Sequence, residues 1–313
     1  MSVIEVRAPG LLTTVQDLGR EGFGPLGVSP SGAADAVSLR LGNRLVGNSE
    51  GAAALEMTLL GGTFVFPTGA VIALAGSDFG ATLDGAPVPM WASLEVHAGQ
   101  TLAFGPTRSG ARCYLCAQGG ISVPLFLDSA STHLLSGLGG LDGRALRKGD
   151  VLQIGPSTDR HRPRKVARDL VQMLETRGAL RVTPGPQSES FSDSSRHLFY
   201  TSRYRVSEES NRMGIRLEGP AIPENSGGEM VTEGVSLGAV QITAGGKPII
   251  LFVEQQTTGG YAKIANVISA DLHRLGQLRP RDEIRFELLN WDTARSLLLE
   301  QERLLTGPEA IVE

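Results

Sequence analysis

Short apolar runs bounded by glycine, proline and polar residues recur along the whole chain and predict many short strands. The clearest run, at residues 248–253, has five consecutive apolar residues after a proline. Such a run is typical of a strand that is covered on both faces. The pattern therefore predicts a mainly β protein with few helices.

Helical periodicity is restricted to a few segments. Apolar spacing predicts helices at residues 33–46 and 292–305, and Asp292 is expected to cap the second of them. A short helix is expected at residues 270–275, and much of residues 166–176 is expected to be helical.

The two halves of the sequence share a weak repeat. Residues 5–10 and 181–185 are similar openings that end in Pro-Gly, and residues 146–154 and 278–286 are similar closings with a charged turn before an alternating strand. Matching openings and closings favour duplication. We therefore expect two related β-barrels or β-sandwiches, at residues 1–160 and 178–313, joined by a linker at about residues 155–178.

Composition narrows the function classes. The 313 residues carry a net charge of −4, and the only basic cluster, at residues 160–165, lies in the expected linker, so a nucleic-acid partner is not expected. No apolar run approaches the ~20 residues of a membrane helix, and no signal peptide is recognisable. Cys113 and Cys116 lie in an expected strand and lack a second pair for zinc. A cytoplasmic location is the simplest expectation.

Several catalytic motifs are absent from the sequence. Residues 245–248 resemble the end of a phosphate-binding loop, but Pro248 replaces the Ser or Thr that would hold Mg²⁺. Residues 27–32 have one residue too many for a nucleophile elbow. The five histidines are scattered, so no metal site is expected, and no lysine is flanked by methionines as in a biotin-attachment loop.

The most informative segment is residues 254–263, which follow the buried strand with two amides, two hydroxyls, two glycines, a phenol and an amine. Gly259 and Gly260 are expected to reach positive φ and to let backbone N–H groups approach a ligand. These groups suit an uncharged or anionic carbonyl compound. On spacing alone, a glycine-rich hairpin corner is the simpler interpretation. Four other segments share this polar, glycine-rich character: residues 13–22 with 27–35, 184–187, 210–219 and 233–241.

Three of these segments carry a family resemblance. Residues 210–219, 233–241 and 256–261, together with Thr14-Val-Gln-Asp-Leu-Gly-Arg20 and Leu45-Val-Gly-Asn48, resemble the allophanate hydrolase subunit 2 family. That family includes the C subunit of bacterial 5-oxoprolinase, an antagonist of a sporulation-kinase inhibitor, and half of the carboxyltransferase domain of urea carboxylase. The resemblance covers nearly the whole chain and implies two cyclophilin-like β-barrel domains.

The resemblance also implies a partner from the allophanate hydrolase subunit 1 family. Its leading implication is a subunit that opens 5-oxoproline to glutamate, with ATP at the level of the complex and a lactam-utilisation protein as a third component. One alternative is carboxyl transfer from carboxybiotin to urea or a related amide. The other is a regulatory module without chemistry. The chain departs from the family pattern at Glu254, where Asp is usual, at residues 128–132, which lack a Gly and an Arg, and at Arg281, where Gly is usual.

The candidate site residues come from these motifs. The expected catalytic residues are Asn211, Gln256, Tyr261 and Lys263. The expected substrate-binding residues are Arg212, Glu233, Gln241, Thr257, Thr258, Gly259 and Gly260. We expect most of them to line one cleft, with Tyr261 and Lys263 pointing the same way on an extended chain. Directional donors of this kind can hold a carboxylate or stabilise a developing oxyanion.

Overall fold

The computed structural model describes residues 2–157, 162–175, 178–224 and 230–313. The chain divides into two compact units. Unit 1 comprises Met1–Arg20, Ser31–Leu174 and Leu304–Glu313, and unit 2 comprises Glu21–Pro30 and Glu175–Arg303. Parts of the expected linker and of its basic cluster, including Arg160 and His161, lie outside the described residues, and the predicted domain boundaries stay a prediction.

The described residues form 24 strands and five short α-helices, which confirms the predicted mainly β class. The strands are, in chain order, β1 Val3–Ala8, β2 Leu12–Gln16, β3 Ala54–Thr58, β4 Thr63–Val65, β5 Ala70–Gly76, β6 Thr82–Leu83, β7 Ala86–Pro87, β8 Ser93–Val96, β9 Thr101–Ala103, β10 Arg112–Ala117, β11 Ile121–Ser122, β12 Val151–Ile154, β13 Lys165–Val166, β14 Leu180–Pro184, β15 Tyr204–Val206, β16 Gly214–Glu218, β17 Glu233–Gly234, β18 Ala239–Ile242, β19 Pro248–Leu251, β20 Thr258–Gly259, β21 Lys263–Val267, β22 Glu283–Ile284, β23 Phe286–Leu288 and β24 Ile311–Val312. The helices are α1 Ala36–Leu45, α2 Arg168–Glu175, α3 Asp193–Thr201, α4 Leu272–Leu275 and α5 Trp291–Thr306.

Unit 1 is built from two antiparallel sheets that enclose an apolar core. The larger sheet has the order β11-β12-β1-β4-β9-β6-β7, and the smaller has the order β2-β3-β10-β5-β8. Phe64 and Leu102 from the first sheet and Ile72 and Leu115 from the second are fully buried in the same cluster. The alternation of strand residues places one face of each sheet in this core.

Helix α1 packs on the outer face of the smaller sheet. Asp35 caps its N-terminus by accepting a hydrogen bond from the backbone N–H of Ser38 at 2.9 Å. A buried carboxylate anchors the preceding turn, because Glu56 Oε2 accepts from the Tyr114 hydroxyl at 2.7 Å and from the Ala34 N–H at 2.8 Å. The phenol is fully buried beside Glu56, and both effects raise its pKa well above the usual range.

Unit 2 is dominated by an eight-stranded sheet with the order β22-β15-β16-β19-β18-β21-β14-β23, which curves into a nearly closed barrel. Only the contact between β14 and β23 is parallel among its described pairings. Inside, the rings of Phe199 and Phe286 stack with centroids 4.5 Å apart. A separate two-stranded ribbon, β17 with β20, carries the polar glycine-rich segments.

The helix predictions hold in part. α1 and α5 lie within the predicted segments to within a few residues, but Asn290, not Asp292, accepts the hydrogen bond from the Thr293 N–H at the start of α5. α2 forms over most of the helix predicted at residues 166–176, but Val166 belongs to β13, which pairs with β24. α3 was not predicted. Its N-cap, Ser192, lies in the serine-rich stretch at residues 188–195, which shows no apolar stripe.

Candidate functional site

The ribbon in unit 2 joins two of the glycine-rich motifs. Glu233 lies opposite Gly259, and Gly234 lies opposite Thr258. The pairing continues beyond the strands, because the Val235 N–H donates to the Thr257 carbonyl at 3.1 Å. Segments that are some 20 residues apart in sequence therefore present their side chains on one short ribbon.

A charged cluster lies beside this ribbon. Lys263 begins β21 with its side chain only 4% exposed, and its Nζ lies 2.5 Å from Glu233 Oε1. Gln187 Nε2 donates to the same oxygen at 2.7 Å. The ammonium of Lys263, followed by the hydrogen bond from Gln187, lowers the pKa of the Glu233 carboxyl below its usual range. Glu233 is therefore a carboxylate at neutral pH.

Gln187 and Ser29 are residues that sequence reasoning did not select. Gln187 belongs to the segment at residues 184–187, whose polar, glycine-rich character was the only available signal. Ser29 Oγ donates to the Val253 carbonyl at 3.3 Å, which places residues 21–30 beside the end of the buried strand in unit 2. Both contacts link segments so distant in sequence that spacing could not indicate them.

The two neighbouring glycines have different roles. Neither Gly259 nor Gly260 has a positive φ, so that expectation is wrong: the ribbon keeps the chain extended at Gly259. A Cβ at Gly259 would lie 2.6 Å from the Nε2 of the buried Gln241, so that amide would have to shift to admit a larger residue. At Gly260 the nearest atoms are 3.5 Å away, and a Cβ would fit. Close packing therefore does not explain why residue 260 is a glycine.

The motif at residues 210–219 is tied to the chain beyond β19. Arg212 Nε is in contact with Glu254 Oε1, and both side chains are buried. The Glu254 N–H also donates to the Arg212 carbonyl at 2.8 Å. Asn211 is exposed, and its Oδ1 accepts from the Met213 N–H at 2.8 Å, which fixes the turn before β16. A ligand carboxylate at Arg212 would have to compete with Glu254.

The candidate residues differ in exposure. Gln256, Thr258, Gly260 and Tyr261 are exposed, and Thr257 is half-buried. Lys263, Gln241 and Arg212 are buried. The expectation that Tyr261 and Lys263 point the same way is wrong, since the chain bends at Tyr261 and the strand alternation begins only at Lys263. A single cleft that contains Asn211 and Thr258 stays a prediction.

The N-terminal motif has a structural role in unit 1. The Asp17 carboxylate accepts from the hydroxyls of Ser129 and Ser131 at 2.7 and 2.5 Å and from the Ala130 N–H at 2.6 Å. It thereby holds the loop at residues 128–132, which departs from the family pattern. Asp128, where the family usually has Gly, adopts a φ of +60°. The position therefore has the left-handed backbone that favours glycine.

No group of three or more His, Cys, Asp or Glu side chains that could hold a metal ion is found in residues 2–157, 162–175, 178–224 and 230–313. Within these same ranges, no helix combines the length and apolar character that crossing a bilayer requires.

The fold agrees with comparisons to known proteins. The family model described as carboxyltransferase domain, subdomain A and B, matches residues 26–288. Similar proteins include the C subunit of the Escherichia coli 5-oxoprolinase, 39% identical over 96% of both chains. The urea amidolyase of Saccharomyces cerevisiae is 38% identical over 96% of this chain. The chain belongs to the carboxyltransferase domain family.

A solved structure supports the same assignment. The crystal structure of the Kluyveromyces lactis urea carboxylase matches with a TM-score of 0.92 and 35% identity over 98% of this chain. The chain spans only 29% of that protein and 17% of the yeast urea amidolyase.

Proposed function

We propose that this chain is a subunit of a heteromeric, ATP-dependent 5-oxoprolinase that opens 5-oxoproline to glutamate. The observation that carries the proposal is the 39% identity to the C subunit of a 5-oxoprolinase over 96% of both chains. The corresponding C subunit from Haemophilus influenzae is 36% identical over 96% of both chains. The partner is expected to be a protein of the allophanate hydrolase subunit 1 family, with a lactam-utilisation protein as a further component.

The site chemistry supports this proposal. A lactam is an unreactive amide, and ATP at the level of the complex would activate it by phosphorylating its oxygen. The groups this chain contributes would bind the ring and stabilise charge: the amides of Asn211 and Gln256 and the backbone N–H groups of Gly259 and Gly260. The buried ammonium of Lys263, which pairs with Glu233 opposite Gly259, adds a positive charge beside the ribbon.

The exposure of the ribbon favours completion of the site by a partner. Gln256, Thr258 and Tyr261 are at the surface of this chain, whereas catalytic sites are usually enclosed and shielded from water. We therefore expect the single chain to have no measurable turnover and the complex to be active.

The test is 5-oxoproline-dependent ATP hydrolysis, with glutamate measured in parallel, by the chain co-purified with its partner proteins. Lys263→Met should abolish glutamate formation. The matched control is Lys247→Met, which removes an exposed lysine from the same unit and should leave activity unchanged. Turnover by the rigorously pure single chain, or full activity of the Lys263→Met complex, would contradict the proposal.

A second candidate is carboxyl transfer from carboxybiotin to urea or a related amide. The similarity to the Kluyveromyces lactis urea carboxylase favours it. In that reaction the same donors would hold the ureido oxygen of a biotin carried by another protein. Urea-dependent consumption of carboxybiotin by the complex, without glutamate formation from 5-oxoproline, would favour this candidate over the first. The regulatory alternative predicts neither activity.

A further inference from the structure

In unit 2, the side chains of Lys263 and Gln187 both contact the same carboxylate oxygen, Oε1 of Glu233. Lys263 Nζ and Gln187 Nε2 lie 2.5 and 2.7 Å from Glu233 Oε1. An ammonium beside an amide donor is chemistry that suits the binding of a small carboxylate. The pair of donor side chains, Gln187 and Lys263, is called the carboxylate cradle below.

The cradle is held in place without Glu233. The Gln187 N–H donates to the Lys263 carbonyl, and the Lys263 N–H donates to Gln187 Oε1, both at 3.2 Å. Gly185 packs so closely against β21 that a Cβ would lie 2.2 Å from the Lys263 carbonyl oxygen. Backbone contacts therefore clamp the loop at residues 185–187 onto the strand that carries the lysine, and the two donors are preorganised.

Glu233 is held less firmly than Lys263. The Lys263 side chain is 4% exposed, whereas that of Glu233 is 46% exposed. Glu233 also lies on a strand of only two residues, β17, at the surface of the unit. A buried ammonium is costly without a counter-charge, so the cradle requires some anion. The half-exposed carboxylate is the component that can leave and be replaced.

We propose that the carboxylate cradle is a binding subsite for the carboxylate of a small-molecule substrate, and that Glu233 is an internal ligand which the substrate displaces. The inference rests on the proposed function, because 5-oxoproline carries one carboxylate beside its lactam, whereas urea carries none. It assigns to Gln187 a role in binding the substrate that motif spacing does not indicate.

Competition with an internal ligand weakens the apparent affinity for an external one. If the cradle is open in roughly 1–10% of molecules, the apparent dissociation constant is about 10–100 times the intrinsic one. Because the pKa of Glu233 is lowered, its carboxylate stays charged at neutral pH, and displacement rather than protonation opens the cradle. Removing that charge should therefore strengthen substrate binding.

The experiment is titration calorimetry of the full-length chain with 5-oxoproline and with 2-pyrrolidinone, which lacks only the carboxylate. Glu233→Gln keeps the side-chain shape and should tighten 5-oxoproline binding by about 10-fold or more, with no effect on 2-pyrrolidinone. Glu218→Gln is the matched control: Glu218 is a half-exposed acid that pairs with Arg205 in the same unit, and its replacement should change neither titration. Gln187→Met and Lys263→Met should weaken 5-oxoproline binding in the Glu233→Gln background.

The inference is overturned if Glu233→Gln, with an unchanged melting temperature, binds 5-oxoproline no more tightly than the wild type. It is also overturned if Glu233→Gln tightens both compounds equally, since the carboxylate would then not be what is recognised. Glu233→Ala provides a second variant that removes the internal ligand altogether and should give the same result as Glu233→Gln.

Failure of this inference and failure of the proposed function are distinguishable. If the complex converts 5-oxoproline but Glu233→Gln does not strengthen binding, the proposed function stands and the cradle is only structural. If Glu233→Gln binds 5-oxoproline tightly but the complex forms no glutamate, the cradle is supported as a carboxylate site and the proposed function is contradicted.

Discussion

The buried ion pair between Arg212 and Glu254 offers the sharpest test of how the site segments are held. The two side chains are only 6% and 3% exposed, and they join the turn before β16 to the segment that follows β19. Glu254→Gln keeps the shape of the side chain but leaves a buried guanidinium without its counter-charge. Removing one partner of a buried ion pair lowers the free energy of unfolding by about 3–5 kcal/mol.

This cost corresponds to a large shift in melting temperature. At about 2–4 °C per kcal/mol, the expected decrease is about 6–20 °C. Replacing both residues by leucine removes both charges and should recover much of the loss, because apolar replacement of a buried pair is often near neutral. Glu254→Asp, which restores the residue usual in the family, keeps the charge and should cost less than Glu254→Gln.

The assay is calorimetric melting of Glu254→Gln, Glu254→Asp and the double-mutant cycle of Arg212→Leu and Glu254→Leu. The exposed pair Arg205–Glu218 is the control. Those side chains are 59% and 50% exposed, so their removal should cost less than about 1 kcal/mol. The reasoning is refuted if Glu254→Gln lowers the melting temperature no more than Glu218→Gln does. It is refuted equally if the costs of the two single leucine variants simply add in the double variant.

Three further predictions concern single residues. Gly259→Ala should lower the free energy of unfolding by about 1–3 kcal/mol, because the new Cβ would meet Gln241. Gly260→Ala should have the melting temperature of the wild type. If Gly260→Ala nevertheless reduces the activity of the complex, the backbone at this position approaches a ligand. Arg281 has a φ of +73°, so the Arg281→Gly variant should be about 1 kcal/mol more stable than Arg281→Ala in urea denaturation. Equal stabilities of the two variants would show that the backbone at this position is not strained. Burial raises the pKa of Asp271, but hydrogen bonds from Arg181 outweigh it and the net pKa is lowered. The contribution of ionised Asp271 to the free energy of unfolding should be complete above about pH 4 and decline as the pH falls further. Asp271→Asn should therefore flatten the acid side of the curve of stability against pH. An unchanged curve would contradict this prediction.

The elements that the sequence predicted well are those with a strong local pattern. Strand β19 lies in the predicted apolar run, and α1 and α5 lie in the segments with helical spacing. Helix α3 was missed because its start is stabilised by capping from Ser192 and not by an apolar stripe. Local propensity decides where such a helix begins, but packing decides that it forms at all.

The site was harder to predict, because its contacts are formed by residues far apart in sequence. Motif chemistry indicated Glu233 and Lys263 separately, but only the barrel topology brings them together with Gln187. The positive φ expected for Gly259 was wrong because a glycine can also be favoured by close packing, which sequence cannot distinguish from a turn. Family knowledge helped where local physics did not, since Asp128 and Arg281 both have the left-handed backbone of the usual glycine.

Two ion pairs of unit 2, Arg212–Glu254 and Lys263–Glu233, differ in a way that bears on function. Arg212 and Glu254 are both buried, so neither charge can exchange its partner without exposing a buried charge, and the pair serves the fold. Lys263 is equally buried, but its acid is half-exposed and lies on a two-residue strand. Only in the second pair can an external carboxylate replace the internal one while the cation stays covered. Loss of the first acid should therefore appear as a lower melting temperature, and loss of the second as a change in binding.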